Sequence, residues 1–419
     1  MQNTAMSLQV IDYLEAYNLQ CARRNAFPIP FLQALLTKCI DDGQIPSEFH
    51  LLGNHAELRE HRLTDDYLDI LIIPFAGKDF LTTLDLSYNQ ITDKGGAILA
   101  KWLRTTQTLR ELILASNSLG PGAGSVLSES LTVNTTLTTL DLSHNNLGND
   151  GGMAVAGMLQ VNTTLTRLRL ARCDLSLPAL IALCTVLHHN RTLRSLDISD
   201  NSGGVQHRAP SLHSDFVRHL SHMLAANKSL ADLSLAKLGI DDYDMAQHLG
   251  PALAAATSLE SLDLSSNRIM QDGATVLAAT LVSHPSLQTV RLSHNTLTSL
   301  GLGSLVRMLK DNTVLASLYL DHVGAGSDAL LALAHVLLGL NKTIKRLAIW
   351  GNEFHDATPT GMSFPEAAVA GSGTGNGCTC DVWDKLVSKH HRLEPEQLDV
   401  CFYVVEGEWD VAKNERFVG

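Results

Sequence analysis

The chain has 419 residues, 45% of them hydrophobic, and its 31 Lys and Arg against 43 Asp and Glu give a formal charge of −12. That balance argues against a surface that tracks phosphate backbones, which needs a basic stripe, so no nucleic-acid partner is expected. The N-terminal residues lack the charged and apolar stretches of a secretory signal, and the longest apolar run, 329–340, contains His335 and is too short to span a bilayer. Seven cysteines at irregular spacing fit a reducing compartment, so a cytoplasmic protein is expected.

Residues 1–52 read as a helical cap, with Leu8, Ile11 and Leu14 in one segment and Phe31, Leu32, Leu35 and Leu36 in a second, after Pro28 and Pro30. Leu63 opens LTDDYLDILIIPF, the helical half of a weak leading copy of a repeat that becomes regular at Leu81. From Leu81 one pattern recurs, Leu-x-x-Leu-x-Leu-x-x-Asn-x-Leu and then a helical run, with first positions at Leu81, Leu109, Leu137, Leu165, Leu193, Leu230, Leu259, Leu287, Leu315 and Ile344. The period is 28 or 29 residues except for one unit of 37. Such a repeat predicts a solenoid in which neither strand nor helix buries its apolar face alone, so stacked units share one core. We expect an α/β horseshoe over 53–356, with a parallel concave sheet, convex helices and about ten to eleven repeats.

Position 9 of the repeat is Asn89, Asn117, Asn145, Asn201, Asn267, Asn295 and Asn352. An amide there can donate to and accept from the turn backbones of adjacent repeats. Cys173 substitutes weakly in the fourth copy, whereas Leu238 and Val323 cannot, and a broken or rerouted ladder is expected at those two turns. Five Asn-x-Ser/Thr sequons, at Asn134, Asn162, Asn190, Asn227 and Asn341, share one place between helix and next strand, which makes them structural.

Positions 3, 5 and 7 alternate onto the concave face. Position 5 is often Asp, as at Asp85, Asp141, Asp197 and Asp263, and reads either as part of a binding face or as a solvated filler. Arg169, Arg291, Tyr319 and Trp350 are the partner-binding anchors expected on this face, the two aromatics as exposed ones. The 37-residue unit carries nine extra residues within 202–214, either a specificity loop presenting His207 and Arg208 or a tolerated insertion.

After the repeats, 357–377 reads as a flexible Gly/Ser/Thr-rich linker and 378–419 as a C-terminal segment of a short helix and a hairpin. Trp383 and Trp409 are candidate contacts there, and the hairpin is expected to cover the last repeat or dock on a neighbour. Cys378 and Cys380 with His390 and His391 lack the second spaced pair of a metal site, so no metal is expected. No Gly-x-x-x-x-Gly-Lys-Ser/Thr, His-Glu-x-x-His or Gly-x-Ser-x-Gly occurs, and neither a cofactor nor a small-molecule substrate is implied.

The repeat resembles the ribonuclease-inhibitor type of leucine-rich repeat, a class that includes inhibitors, GTPase activators, immune receptors and ciliary scaffold subunits. Leu347 to Phe354 (LAIWGNEF) and Arg392 to Gly407 (RLEPEQLDVCFYVVEG) are similar to the closing segment of ciliary members of that class, although 358–377 is inserted between them. This resemblance implies a non-enzymatic interaction scaffold of the motile-cilium axoneme, at radial spokes or regulatory complexes, whose partners are other axonemal proteins. The class also implies two alternatives. One is a GTPase activator of the Ran-activator type with Arg172 as its rim arginine, although the acidic tail of those proteins is missing; the other is a cytosolic enzyme inhibitor, although those are cysteine-rich.

Overall fold

The computed structural model describes residues 2–201, 210–353, 400–405 and 408–413, with side chains omitted at 2–7, 210–214 and the two C-terminal segments. The chain divides into two compact units, Met1–Ala231 and Asp232–Gly419.

In the first unit, helices α1 (Gln2–Arg23) and α2 (Pro30–Asp41) precede strand β1 (Glu48–His50). Five strands come next, β2 (Thr83–Asp85), β3 (Glu111–Ile113), β4 (Thr139–Asp141), β5 (Arg167–Arg169) and β6 (Ser195–Asp197), each parallel to the one before. Their central residues Phe49, Leu84, Leu112, Leu140, Leu168 and Leu196 stand in one register column and are buried. The strand of the weak first copy therefore lies before Gly53. Thirty-five residues separate Phe49 from Leu84, against 28 between Leu84 and Leu112.

The return helices are α3 (Asp65–Ile72), α4 (Asp93–Leu103), α5 (Pro121–Leu131), α6 (Gly148–Leu159), α7 (Leu177–Leu187) and α8 (Pro210–Ala226). A Cβ on Gly96 would meet the Ala123 Cβ at 2.6 Å, and one on Gly152 the Ala179 Cβ at 2.7 Å, so small residues set how closely these helices pack. Helix α8 is 17 residues long where α7 is 11, so the end of the insertion, 210–214, lengthens a helix. The cap is joined to the first repeats by aromatic rings: Tyr13 lies 4.4 Å from Phe75, 5.7 Å from Phe80 and 5.8 Å from Phe49. Its buried hydroxyl donates to the Leu71 carbonyl at 3.1 Å.

The second unit repeats the plan with β7 (Asp232–Ser234), β8 (Ser261–Asp263), β9 (Thr289–Arg291), β10 (Ser317–Tyr319) and β11 (Arg346–Ala348), parallel and in register. Its main helices are α11 (Gln271–Leu281), α12 (Thr298–Leu309) and α13 (Ser327–Gly339). Ahead of them the short α9 (Asp242–Asp244) and α10 (Gly250–Ala255) flank a π-turn, Met245–Leu249, whose Gly250 N donates to Met245 O. The wider turn fits the missing N–H of Pro251. Two further strands, β12 (Val400–Val405) and β13 (Glu408–Lys413), form the C-terminal antiparallel hairpin.

Asparagine side chains fill the places where strand carbonyls would otherwise be buried and unpaired. Asn117 Nδ2 donates to Leu86 O of the preceding repeat at 2.9 Å and to its own Leu114 O at 3.0 Å, while its Oδ1 accepts from Ile91 N at 3.1 Å. Asn89, Asn145, Asn201 and Asn295 donate in the same two directions. Cys173 contributes one such bond, its thiol donating to Leu142 O at 3.1 Å. Burial pushes that thiol up to about 12, which keeps it protonated as a donor.

The Leu238 and Val323 side chains contribute no such bonds, so the ladder lacks their share, but the next asparagine keeps its regular ones: Asn267 Nδ2 donates to Leu235 O and Leu264 O, and Asn352 Nδ2 to Leu320 O and Ile349 O. Asn267 Oδ1 accepts from Leu238, Gly239 and Ile240 N, and Asn352 Oδ1 from Val323 and Ala325 N. The turn one repeat before Cys173 and the turn one repeat before Val323 change in the same way. Leu147 and Leu297 become helical, and the next residue enters the left-handed region, Gly148 at φ +60° and Thr298 at φ +60°. Gly148 N then donates to Cys173 O at 3.2 Å and Thr298 N to Val323 O at 3.0 Å.

A second column links the end of one helix to the segment between the following helix and its strand. Asn134 Nδ2 donates to Leu103 O at 2.7 Å while its Oδ1 accepts from Thr136 and Leu137 N, and Asn162, Asn190, Asn227, Asn312 and Asn341 repeat this. The sequon amides are thus spent on backbone. His284 takes the same place, its Nε2 3.1 Å from Leu253 O and its Nδ1 accepting from Leu287 N at 3.1 Å. These partners require the neutral Nε2–H tautomer.

Both columns make measurable differences to stability. Burial lowers the His284 pKa below its usual value of about 6.5, so stability falls as the unfolded chain gains a proton below that pH. His284→Asn preserves both halves of the contact, and its melting temperature should drop less than that of the parent between about pH 7.5 and about pH 5. A β-branched residue in the left-handed region costs about 1–2 kcal/mol. Thr298→Gly should therefore stabilise by about 0.5–1 kcal/mol after the glycine entropy term, and Gly148→Thr should destabilise by a similar amount, about 0.5–1 kcal/mol, both read by chemical denaturation.

Candidate protein-interaction face

Each unit presents its strand residues at positions 3, 5 and 7 on the side away from the helices. In the first unit the position-5 aspartates are neither fillers nor free carboxylates. Asp85, Asp141 and Asp197 each accept the backbone N–H of the serine two residues on, at 2.9 Å, closing the turn after the strand. Asp263 does the same to Ser265 at 2.8 Å in the second unit. The recurring Asp-Leu-Ser or Asp-Ile-Ser triplet is the signal, since a short acceptor reaches the second backbone N–H ahead.

Between these caps run two arginines of β5. Arg167 NH2 donates to Glu111 at 2.9 Å and its Nε to the Thr139 hydroxyl at 3.1 Å; Arg169 lies 3.5 Å from Asp141. Both remain more than half exposed, whereas Thr139 and Asp141 beneath them are buried. Arg172 comes next at position 8, exposed, with a left-handed φ of +52° and its N–H donating to Ser199 O at 2.8 Å.

In the second unit Arg291 stacks on Tyr319, its guanidinium carbon 3.7 Å from the ring centroid. This corrects the expectation of an exposed tyrosine, because Tyr319 is only 4% accessible. Strand alternation assigns a side chain to a face, but a long neighbour in the adjacent row lies over it there. Beside this pair Ser293 donates to Asp321 at 2.6 Å, and the His294 and His322 rings stack with centroids 4.7 Å apart. Trp350, at position 7 after β11, is half-buried. His207, Arg208 and Trp383 lie outside the described residues, and Trp409 is placed only by its β13 register opposite Val404.

The caps and the ion pairs differ in energetic weight. Asp141→Ala orphans the Ser143 N–H and should cost about 1–2 kcal/mol. Arg169→Ala removes one exposed ion pair, so it should change stability by less than about 0.5 kcal/mol, measured by the same denaturant series.

Comparison with known proteins adds to this geometry. The family described as Leucine Rich repeat matches residues 79–100, 133–156, 161–184, 189–202, 255–278 and 283–306. Mouse Leucine-rich repeat-containing protein 34 is 29% identical, over 45% of this chain and 40% of its own length, so the chain spans well under half of that relative. Among solved structures, the leucine-rich repeat-containing protein LegL7 from Legionella pneumophila has a TM-score of 0.43 at 21% identity, covering 66% of this chain and 85% of that one. The yeast Rad7 and Elc1 complex structure has a TM-score of 0.42 at 15% identity, covering 84% of this chain and 89% of the matched one. The chain carries leucine-rich repeats, and it resembles Leucine-rich repeat-containing protein 34.

Proposed function

We propose that this chain is a non-enzymatic interaction scaffold of the motile-cilium axoneme, at a radial spoke or an associated regulatory complex, with other axonemal subunits as its partners. The observation that carries the scaffold reading is the strand face itself. Its acids are consumed as turn caps, while Arg169 and Arg291 are held in place by neighbours and keep donors for a partner's carboxylates. Support for the cilium comes from the similarity of 347–354 and 392–407 to ciliary members of the class. The setting is cytoplasmic, within the cilium.

Affinity purification from ciliated cells, comparing the full chain with one ending at Phe354, tests this reading. Axonemal proteins should co-purify with the full chain, and recovery of none with either version refutes the assignment. A second reading, GTPase activation, is kept alive by the exposed Arg172 on its rim turn. We expect no acceleration in a single-turnover GTPase assay; acceleration that disappears in Arg172→Ala would replace the scaffold reading with that one.

A further inference from the structure

Phe27 is 90% exposed, the most accessible large apolar side chain among the described residues. It sits on a loop held by a chain of hydrogen bonds. Ile29 N donates to the Tyr17 hydroxyl at 2.8 Å, Tyr17 donates to Tyr67 at 2.6 Å, and Tyr67 donates to Phe27 O at 2.7 Å. The direction is fixed because a carbonyl can only accept. Ile29 is buried beside it, and Pro28 and Pro30 restrict the backbone on both sides. A fully exposed phenylalanine whose loop is already ordered has little conformational entropy to lose on burial, which suits it as an interface anchor.

The same unit carries a groove of about 720 Å³ between α6 and α7, walled by Met153, Ala156, Leu177, Ile181 and Val186. Its floor is opened by Gly157, where an added Cβ would meet nothing within 4 Å. Phe27 cannot reach this groove in its own chain. Its loop is tied to Tyr67 on α3, and α4 and α5 are packed in sequence between α3 and α6. One charge near each surface is complementary as well. Arg23, exposed on the last turn of α1, has no ion pair among the described residues, while the exposed Asp150 lies one turn before Met153; Asp215, which lines the groove, is already paired with Arg218 at 2.8 Å.

We propose that Phe27 of one copy seats in the α6–α7 groove of a second copy, with Arg23 beside that copy's Asp150. The contact joins two different surfaces, so the second copy still presents its own Phe27, and assembly continues head to tail unless the rotation closes a ring. One phenylalanine buries about 150–250 Å², which makes the association weak and concentration-dependent.

Sedimentation equilibrium of the full chain over a series reaching about 1 mM tests this. The average mass of the parent should rise with concentration, whereas Phe27→Ala and Gly157→Leu, each with an unchanged circular dichroism spectrum, should stay at the monomer mass. Leucine favours the helix over glycine, so Gly157→Leu fills the groove without weakening α6. Mixing the two variants should restore a dimer and nothing larger, since one keeps the groove and the other keeps the phenylalanine. A parent that stays monomeric throughout, association that survives Phe27→Ala, or a mixture that remains monomeric would each overturn the proposal.

Discussion

Everything in this molecule depends on satisfying the backbone polar groups of very short parallel strands. Each strand has three residues, too few for ladder bonds alone to cover the turn after it, and that turn is buried against the next repeat. A primary amide answers the problem because it donates twice and accepts twice from one planar group. Asn117 and Asn145 use this to join the carbonyl ends of adjacent strands to the amide of the preceding turn. At the other end of each strand Asn134 and Asn162 do the same between helix and strand. Leucine burial drives the stacking, and the two amide columns fix its register.

The strand face is shaped by the same requirement. Aspartates that look like a charged binding surface are acceptors for turn N–H groups, so their replacement changes the scaffold before it changes any partner. Above them lies a cationic layer. Arg167 and Arg169 lie over Thr139 and Asp141, and Arg291 lies over Tyr319. A guanidinium held by a stacking or ion-pair contact keeps a planar fork of donors with less freedom to lose when a carboxylate arrives.

Much of the fold was legible because the period is nearly invariant and the leucine columns are dense. The first strand escaped, since the stretch from Phe49 to Leu84 is seven residues longer than a regular repeat and its centre is Phe instead of Leu. His284 was missed because an imidazole does not look like an asparagine in sequence, although it offers one donor and one acceptor at similar reach. The changed turns at Gly148 and Thr298 arise from a residue in the next repeat, which no local reading of those turns contains. The face was legible as a face, but which of its side chains are accessible depends on the length of their neighbours across the sheet. That is why Tyr319 read as exposed.

The rerouted turns carry a consequence for the direction of the solenoid. Position 9 of one repeat determines the backbone path of the repeat before it, since its side chain serves the earlier turn and its own but never the later one. Within each unit the repeats are thus related as a one-way chain of dependence, a turn being completed by the repeat that follows it. A change at position 9 is therefore felt in the repeat before it and not in the repeat after it.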